Sequence, residues 1–363
     1  MRIDVFCQVV DNYGDIGVCW RLARQLVAEQ GCEVRLIVDD LGAFRVIAPE
    51  INLGLARQSL LGVEIVAWIG AEMLVPFEVV IEAFACDPPS SYVEAMAAQR
   101  PKPVWINLEY LSAEAWLDGI HGMPSAHQRL PLIKYFFCPG FTEASGGLIR
   151  ERALNAEATC RDRSDTPHRD NSFLEAPFNG STSLRIFVFA YPHAPIHALV
   201  QGFDSVDVPT TVTLAAPIAQ TNPGWKIAPL VPQTRLDARL ATFDFLIVRG
   251  EDSFLRAQWA AKPFLWHIYP TKDGAHLIKL DAWLDHYCLG LVASVSEAYR
   301  AASHAFNTSE NHATQSAAFE LLAQNAAALA AHAVRWRSAL TRQTDLASRL
   351  VEFVAAHKGN NLG

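Results

Sequence analysis

Short apolar runs alternate with amphipathic stretches along the first half of this chain, and the alternation resumes after a polar interruption near its middle. That pattern narrows the fold more than any other feature. A strand that is apolar nearly throughout is buried on both faces, and a helix between two such strands is the crossover that parallel pairing requires. "RIDVFCQVV" reads as the first strand and "IGVCWRLARQLVAEQG" as its helix, beginning near Ile16 and stopping at Gly31. "EVRLIV", "VEIVAWI", "FEVVIEAFA", "PVWINL" and "KYFFCPGF" read as further buried strands. After the interruption, "LRIFVFAY", "VPTTVTLAA", "DFLIVRG" and "PFLWHIY" repeat the pattern, with helices in "EDSFLRAQWAA" and "GAHLIKLDAWLDHY". The tail is Ala-rich with helical spacing.

The expected organisation is an α/β domain over 1–154, a polar linker or mobile segment over 155–183, a second α/β domain over 184–312, and C-terminal helices over 313–363. Two doubly wound domains facing one another would bind ligands at the carboxyl ends of their strands. With 51% hydrophobic residues in 363, the chain has ample material for two cores. A net charge of −8 argues against general nucleic-acid affinity. No stretch reaches the ~18–20 apolar residues of a membrane span, and the N-terminus lacks the pattern of a signal peptide. Seven cysteines without a C-x-x-C pair suggest neither a disulfide framework nor a zinc site, so a reducing cytoplasm is expected.

Two turns carry chemistry. "DNYGDIG" follows the first strand and holds Asp11, Asn12, Tyr13, Gly14, Asp15 and Gly17. Its bland reading is a helix cap by Asp11 or Asp15. Its glycines allow backbone conformations that other residues resist, but they do not form a dinucleotide fingerprint. "VRGEDSFLRAQWA" follows a strand of the second half, with Arg249, Gly250, Glu251 and Asp252 leading into a helix near Ser253. A helix start offers backbone N–H groups to an anion, with Arg249 and the Ser253 hydroxyl beside it. The bland reading is again a cap, by Asp252 or Ser253. Phe189 and Tyr191, two apart at a strand end, would share one face. "LVPQ" (Leu230, Val231, Pro232, Gln233) is an apolar loop suited to a base, and Tyr269 lies near another strand end. The dispersed histidines have no metal-ligand spacing.

Taken in order, "DNYGDIGVCWRLARQL", "IEAFACDPP", "WINLEYLSAE", "LPLIKYFFCPGFTEASGGLIRER", "VRGEDSFLRAQWAAKPFLWHIYP" and "AHLIKLDAWL" resemble the EarP family, protein-arginine rhamnosyltransferases that act on bacterial translation elongation factor P. The resemblance implies a GT-B glycosyltransferase fold, two Rossmann-like domains about a central cleft. It implies dTDP-β-L-rhamnose as donor, transfer with inversion to one arginine of elongation factor P, and relief of ribosome stalling at polyproline. No metal or other cofactor, nucleic acid or membrane is expected. By the same resemblance Asp15 is the candidate base, Asp11 helps hold the acceptor arginine, and Glu251 is essential in a role left open. Arg249, Asp252, Ser253, Phe189, Tyr191 and Tyr269 would meet the donor, and Leu230 to Gln233 its base. Leu230 stands where the family commonly has Phe, and Thr271 where it usually has Gln. Two alternatives remain open: a GT-B transferase with another donor or a small-molecule acceptor, and a non-catalytic protein that binds elongation factor P.

Overall fold

The computed structural model describes residues 1–10, 13–154, 183–206, 209–215 and 222–358. Asp11, Asn12 and the polar segment from 155 to 182 lie outside the described residues. The described residues up to 154 form one compact unit together with those from Gln343 onward, and those from 183 to Arg342 form another.

In the first unit, β1 (Arg2–Cys7), β2 (Glu33–Val38), β3 (Arg57–Leu60), β4 (Val63–Ala67), β5 (Val79–Ala83), β6 (Val104–Leu108), β7 (Pro124–Ala126) and β8 (Ile133–Phe137) make one sheet. Its order is β3-β4-β2-β1-β5-β6-β8-β7. The inner strands are parallel, with Arg2 opposite Glu33 and Ile3 opposite Val79. The edge strands β3 and β7 are antiparallel, short and largely exposed, and the apolar pattern gives no sign of them. The chain runs outward from β1 to β2 on one side and returns to β5 on the other. The carboxyl end of β1 is therefore the switch point where such sheets bind ligands.

β1 is buried along most of its length because strands flank it on both sides. Even Asp4 is buried, and it is fully matched. Arg35 Nε and Nη2 donate to its two oxygens at 2.6 and 2.7 Å, the Phe77 N–H donates at 2.8 Å, and the Tyr92 hydroxyl donates as well. The Asp4 charge in turn pushes the buried Tyr92 phenol up, in the same direction as burial, the larger cause.

The first helix, Gly14–Gln30, ends where Gly31 adopts a left-handed φ of 64° and Cys32 N–H returns to the Leu26 carbonyl. Ile16, Trp20, Leu22 and Leu26 are buried, each such side chain contributing about 1.5–3 kcal/mol. Arg21 and Gln25 are buried too, on what the sequence reads as the polar face. The last helix, Leu346–His357, covers that face. Gln25 Nε2 donates to Asp345, Gln30 Nε2 to Ser348, and Arg21 pairs with Glu151 at 2.7 Å.

In the second unit, β9 (Leu184–Val188), β10 (Thr210–Leu214), β11 (Lys226–Ile227), β12 (Phe245–Arg249) and β13 (Phe264–His267) form a parallel sheet in the order β11-β10-β9-β12-β13. The order reverses between β9 and β12, so the turns after these two strands flank the second switch point. Helix Ile196–Asp204 crosses helix His312–Gln324 at Gly202, where an added Cβ would lie 2.7 Å from the Glu320 nitrogen and the Phe319 carbonyl carbon. Behind β12 and β13, Phe254, Phe264, Trp266, Trp283, Tyr287 and Tyr299 form an aromatic core.

Candidate active site

In the first unit, helix Gly14–Gln30 begins two residues earlier than its apolar spacing indicates, so Gly14 and Asp15 lie inside its first turn. Tyr13 occupies the capping position with no side-chain cap bond, and its carbonyl accepts the Gly17 N–H at 2.9 Å. Asp15 is thus not the cap. Gly14 and Gly17 are helical, and neither uses a positive φ. Asp15 is 2% exposed. Its Oδ2 accepts the Val10 N–H at 2.7 Å, and its Oδ1 accepts the Tyr110 hydroxyl at 3.0 Å. The carboxylate is therefore held between the turn that follows β1 and the loop that follows β6. Neighbouring Val9 donates its N–H to Asp39, and Asp40 caps the helix after β2.

In the second unit, β12 ends at Arg249, Gly250 turns with a φ of 62°, and helix Asp252–Trp259 follows with Glu251 as its N-cap residue. A residue with a Cβ is strained at that φ, which explains glycine there. Neither Asp252 nor Ser253 caps this helix. Ser253 Oγ donates to the Arg249 carbonyl, so its hydroxyl proton is directed back into the turn. Asp252 instead links two other elements. It accepts from Gln233 Nε2 at 2.9 Å and pairs with Arg256, which also reaches Asp237. The Gln233–Asp252 bond ties the end of the Leu230–Gln233 loop to this helix start. Leu230 is exposed, Val231 and Pro232 are half-buried, and Gln233 is buried.

Phe189 and Tyr191 lie beyond the end of β9 rather than on it, yet they converge. The Arg249 guanidinium carbon is 4.4 Å from the Phe189 ring centre and 4.9 Å from that of Tyr191, a cation–π arrangement, and Nη1 reaches the Ala190 carbonyl at 3.4 Å. Tyr269 meets Tyr191 edge to face at 5.6 Å. His267, at the end of β13, accepts the Tyr191 N–H on Nδ1 at 3.2 Å. Burial and then the neighbouring Arg249 charge lower its pKa to about 4, so the ring is neutral and acts as an acceptor.

Asp15 with Tyr13, Gly14 and Gly17 thus occupies one switch point. Arg249, Glu251, Asp252, Ser253, Phe189, Tyr191, Tyr269 and Gln233 occupy the other. Tyr110 and His267 carry no signal in the local sequence, since each is identified by a partner far along the chain. Among the described residues, no group of three or more His, Cys, Asp or Glu side chains is placed to hold a metal ion. No helix of the described residues is long and apolar enough to cross a membrane.

A family model described as "Elongation-Factor P (EF-P) rhamnosyltransferase EarP" matches residues 3–355. A protein-arginine rhamnosyltransferase of Pseudomonas putida is 41% identical over 375 residues, covering 96% of this chain and 97% of its own. A solved structure described as the structural basis for EarP-mediated arginine glycosylation of translation elongation factor EF-P is 30% identical, with a TM-score of 0.62 over 98% of this chain and 99% of that one. Spinosyn forosaminyltransferase SpnP aligns over 98% of this chain and 99% of its own at a TM-score of 0.54 and 13% identity, a likeness of fold alone. The expected GT-B class agrees with these neighbours and with the two parallel α/β sheets.

Proposed function

Because this chain belongs to the EarP family of elongation factor P rhamnosyltransferases, and so is a glycosyltransferase, we propose that it transfers L-rhamnose from dTDP-β-L-rhamnose to one arginine of elongation factor P, with inversion. The observation that carries the chemical reading is the Asp15 carboxylate held at the first switch point by Val10 and Tyr110.

Arginine is a demanding acceptor. Its pKa lies above ~12, so its guanidinium stays protonated at any pH where the enzyme works, and resonance drains its nitrogens. Carboxylates must orient it, and one must take a proton as the new bond forms. In this reading a guanidinium nitrogen attacks the anomeric carbon, the bond from that carbon to the diphosphate oxygen breaks, and the nitrogen's proton passes to Asp15. Asp11 helps orient the guanidinium, while Glu251 touches donor or acceptor without transferring the proton. The departing dTDP gains negative charge. Arg249 and the start of helix Asp252–Trp259 supply positive potential for it, so no metal is assigned to the step. Phe189, Tyr191 and Tyr269 present ring faces to the sugar-nucleotide, and the Leu230–Gln233 loop receives the thymine. Leu230 offers apolar contact in place of ring stacking. Such a transferase would work in the cytoplasm, its modified product relieving stalling at polyproline.

The test is intact mass of purified elongation factor P after incubation with the enzyme and dTDP-β-L-rhamnose. The expected result is a gain of one deoxyhexosyl group on a single arginine, with the α configuration by NMR. A β-linked product removes the inverting mechanism. An unchanged elongation factor alongside consumption of donor by a small molecule overturns the acceptor assignment. An unchanged factor with no donor consumed supports a protein that only binds it.

A further inference from the structure

The Asp15 carboxylate sits at a broad torsion. The terminal angle of an aspartate has no sharp staggered wells, so rotamer preference does not fix the plane of its oxygens. Hydrogen bonds fix it instead. Among them are one from the Val10 backbone, five residues away, and one from the phenol of Tyr110, 95 residues away on a different loop.

The loop that carries Tyr110 is braced with unusual care. Tyr110 lies two residues beyond β6, and its ring stacks on Phe84 with centroids 4.1 Å apart and planes 11° from parallel. Phe84 follows β5, the strand between β1 and β6. It has a φ of 58°, and Ala85 and Asp87 have φ values of 53° and 46°. Three non-glycine residues in the left-handed region within four positions are uncommon, and such conformations persist only where the surroundings impose them. Here they are imposed by the β6 loop itself. The Phe84 N–H donates to the Leu108 carbonyl at 2.7 Å, the Ala85 N–H to Asn107 Oδ1 at 3.1 Å, and Asn107 Nδ2 to Glu109 at 2.5 Å. The Glu109 N–H is tied in turn to the Phe137 carbonyl on β8. The turns after β5 and β6 are locked together, and what they deliver to the carboxyl end of β1 is the Tyr110 hydroxyl.

We propose that Tyr110, buttressed by Phe84, is a positioning residue for the acceptor reaction: its hydroxyl fixes the plane of the Asp15 carboxylate. The inference rests on Asp15 being the base. The other groups described around Asp15 do not compete for this role. Cys7 on β1 is a buried thiol whose pKa is raised, chiefly by its bond with Cys19 and by burial, with repulsion from Asp15 adding to both. Asp39, on the loop after β2, is engaged by the Val9 N–H.

Tyr110→Phe keeps the stacked ring and removes only the hydroxyl. The experiment measures kcat and KM for transfer to elongation factor P by the wild type, Tyr110→Phe and Asp15→Asn, with dTDP affinity and melting temperature measured beside them. For Tyr110→Phe, kcat is expected to fall about tenfold, with KM for elongation factor P, dTDP affinity and melting temperature unchanged. A loss of packing alone would lower the melting temperature along with kcat. If Asp15→Asn is inactive while Tyr110→Phe shows the wild-type kcat, the positioning role is overturned and the base assignment stands. If Asp15→Asn transfers at the wild-type rate, the base assignment fails and the role of Tyr110 fails with it.

Discussion

His267 provides a pH-dependent test of the second switch point. Its imidazole is buried at the end of β13 and accepts the Tyr191 N–H on Nδ1. Protonation would charge a desolvated ring beside Arg249, with His193 and His276 adding repulsion, and would remove the acceptor that holds Tyr191. Burial is the largest of these causes, and together they lower the pKa from the ordinary 6.5 to about 4. The unfolded chain takes up this proton near 6.5 and the native chain only near 4, so the unfolded state binds more protons in between. The contribution is full above about 6.5, declines as pH falls, and is gone below about 4. At 1.36 kcal/mol for each tenfold difference in proton affinity, the full span corresponds to about 3 kcal/mol. His267→Asn keeps an oxygen acceptor near the Nδ1 position but does not titrate. Urea unfolding of the wild type and this variant, repeated across that window, separates His267 from the carboxylates that titrate in both. Wild-type stability is expected to fall more steeply with acidity by up to about 3 kcal/mol over the window. Parallel pH profiles would refute the buried neutral imidazole.

Three further outcomes follow from particular contacts. Arg256→Met removes the guanidinium that pairs with both Asp252 and Asp237 and should cost about 3 kcal/mol in urea unfolding, the low end for a broken buried pair because the Asp237 side chain is 27% exposed. Gly202→Ala forces a methyl group against the Phe319–Glu320 backbone and should destabilise the second unit by about 1–3 kcal/mol, seen as a lower melting temperature. Arg249→Gln should weaken dTDP binding by about tenfold or more in titration calorimetry while leaving the far-UV circular dichroism unchanged.

Much of the fold is legible in the sequence because parallel strands are buried on both faces and leave continuous apolar runs. "EVRLIV" becomes β2 over its full length, and "PVWINL" becomes β6 without its proline. The edge strands β3 and β7 are polar and short, so periodicity has nothing to detect there. Helical spacing marks the apolar face of helix Gly14–Gln30 but not its start, since no side chain caps it, and not the burial of Arg21 and Gln25. Gln25 is met by Asp345, 320 positions away, and Arg21 by Glu151, 130 positions away. The same limit governs the site. The two chemical turns can be read because each follows a strand and each concentrates polar residues. Which residue of a turn does what depends on distant partners. Gly250 uses its positive φ while Gly14 and Gly17 do not, and Ser253 bonds back to Arg249 rather than outward. The phenol on Asp15 and the imidazole behind Tyr191 come from other strands of their sheets.

In this mechanism Asp15 accepts the proton that the arginine releases. Its most direct test is single-turnover transfer from dTDP-β-L-rhamnose to elongation factor P by the wild type and by Asp15→Asn, with donor affinity measured in parallel. The expected result is transfer slowed by about 10²–10⁴-fold with donor affinity unchanged. Transfer by Asp15→Asn at the wild-type rate would contradict it.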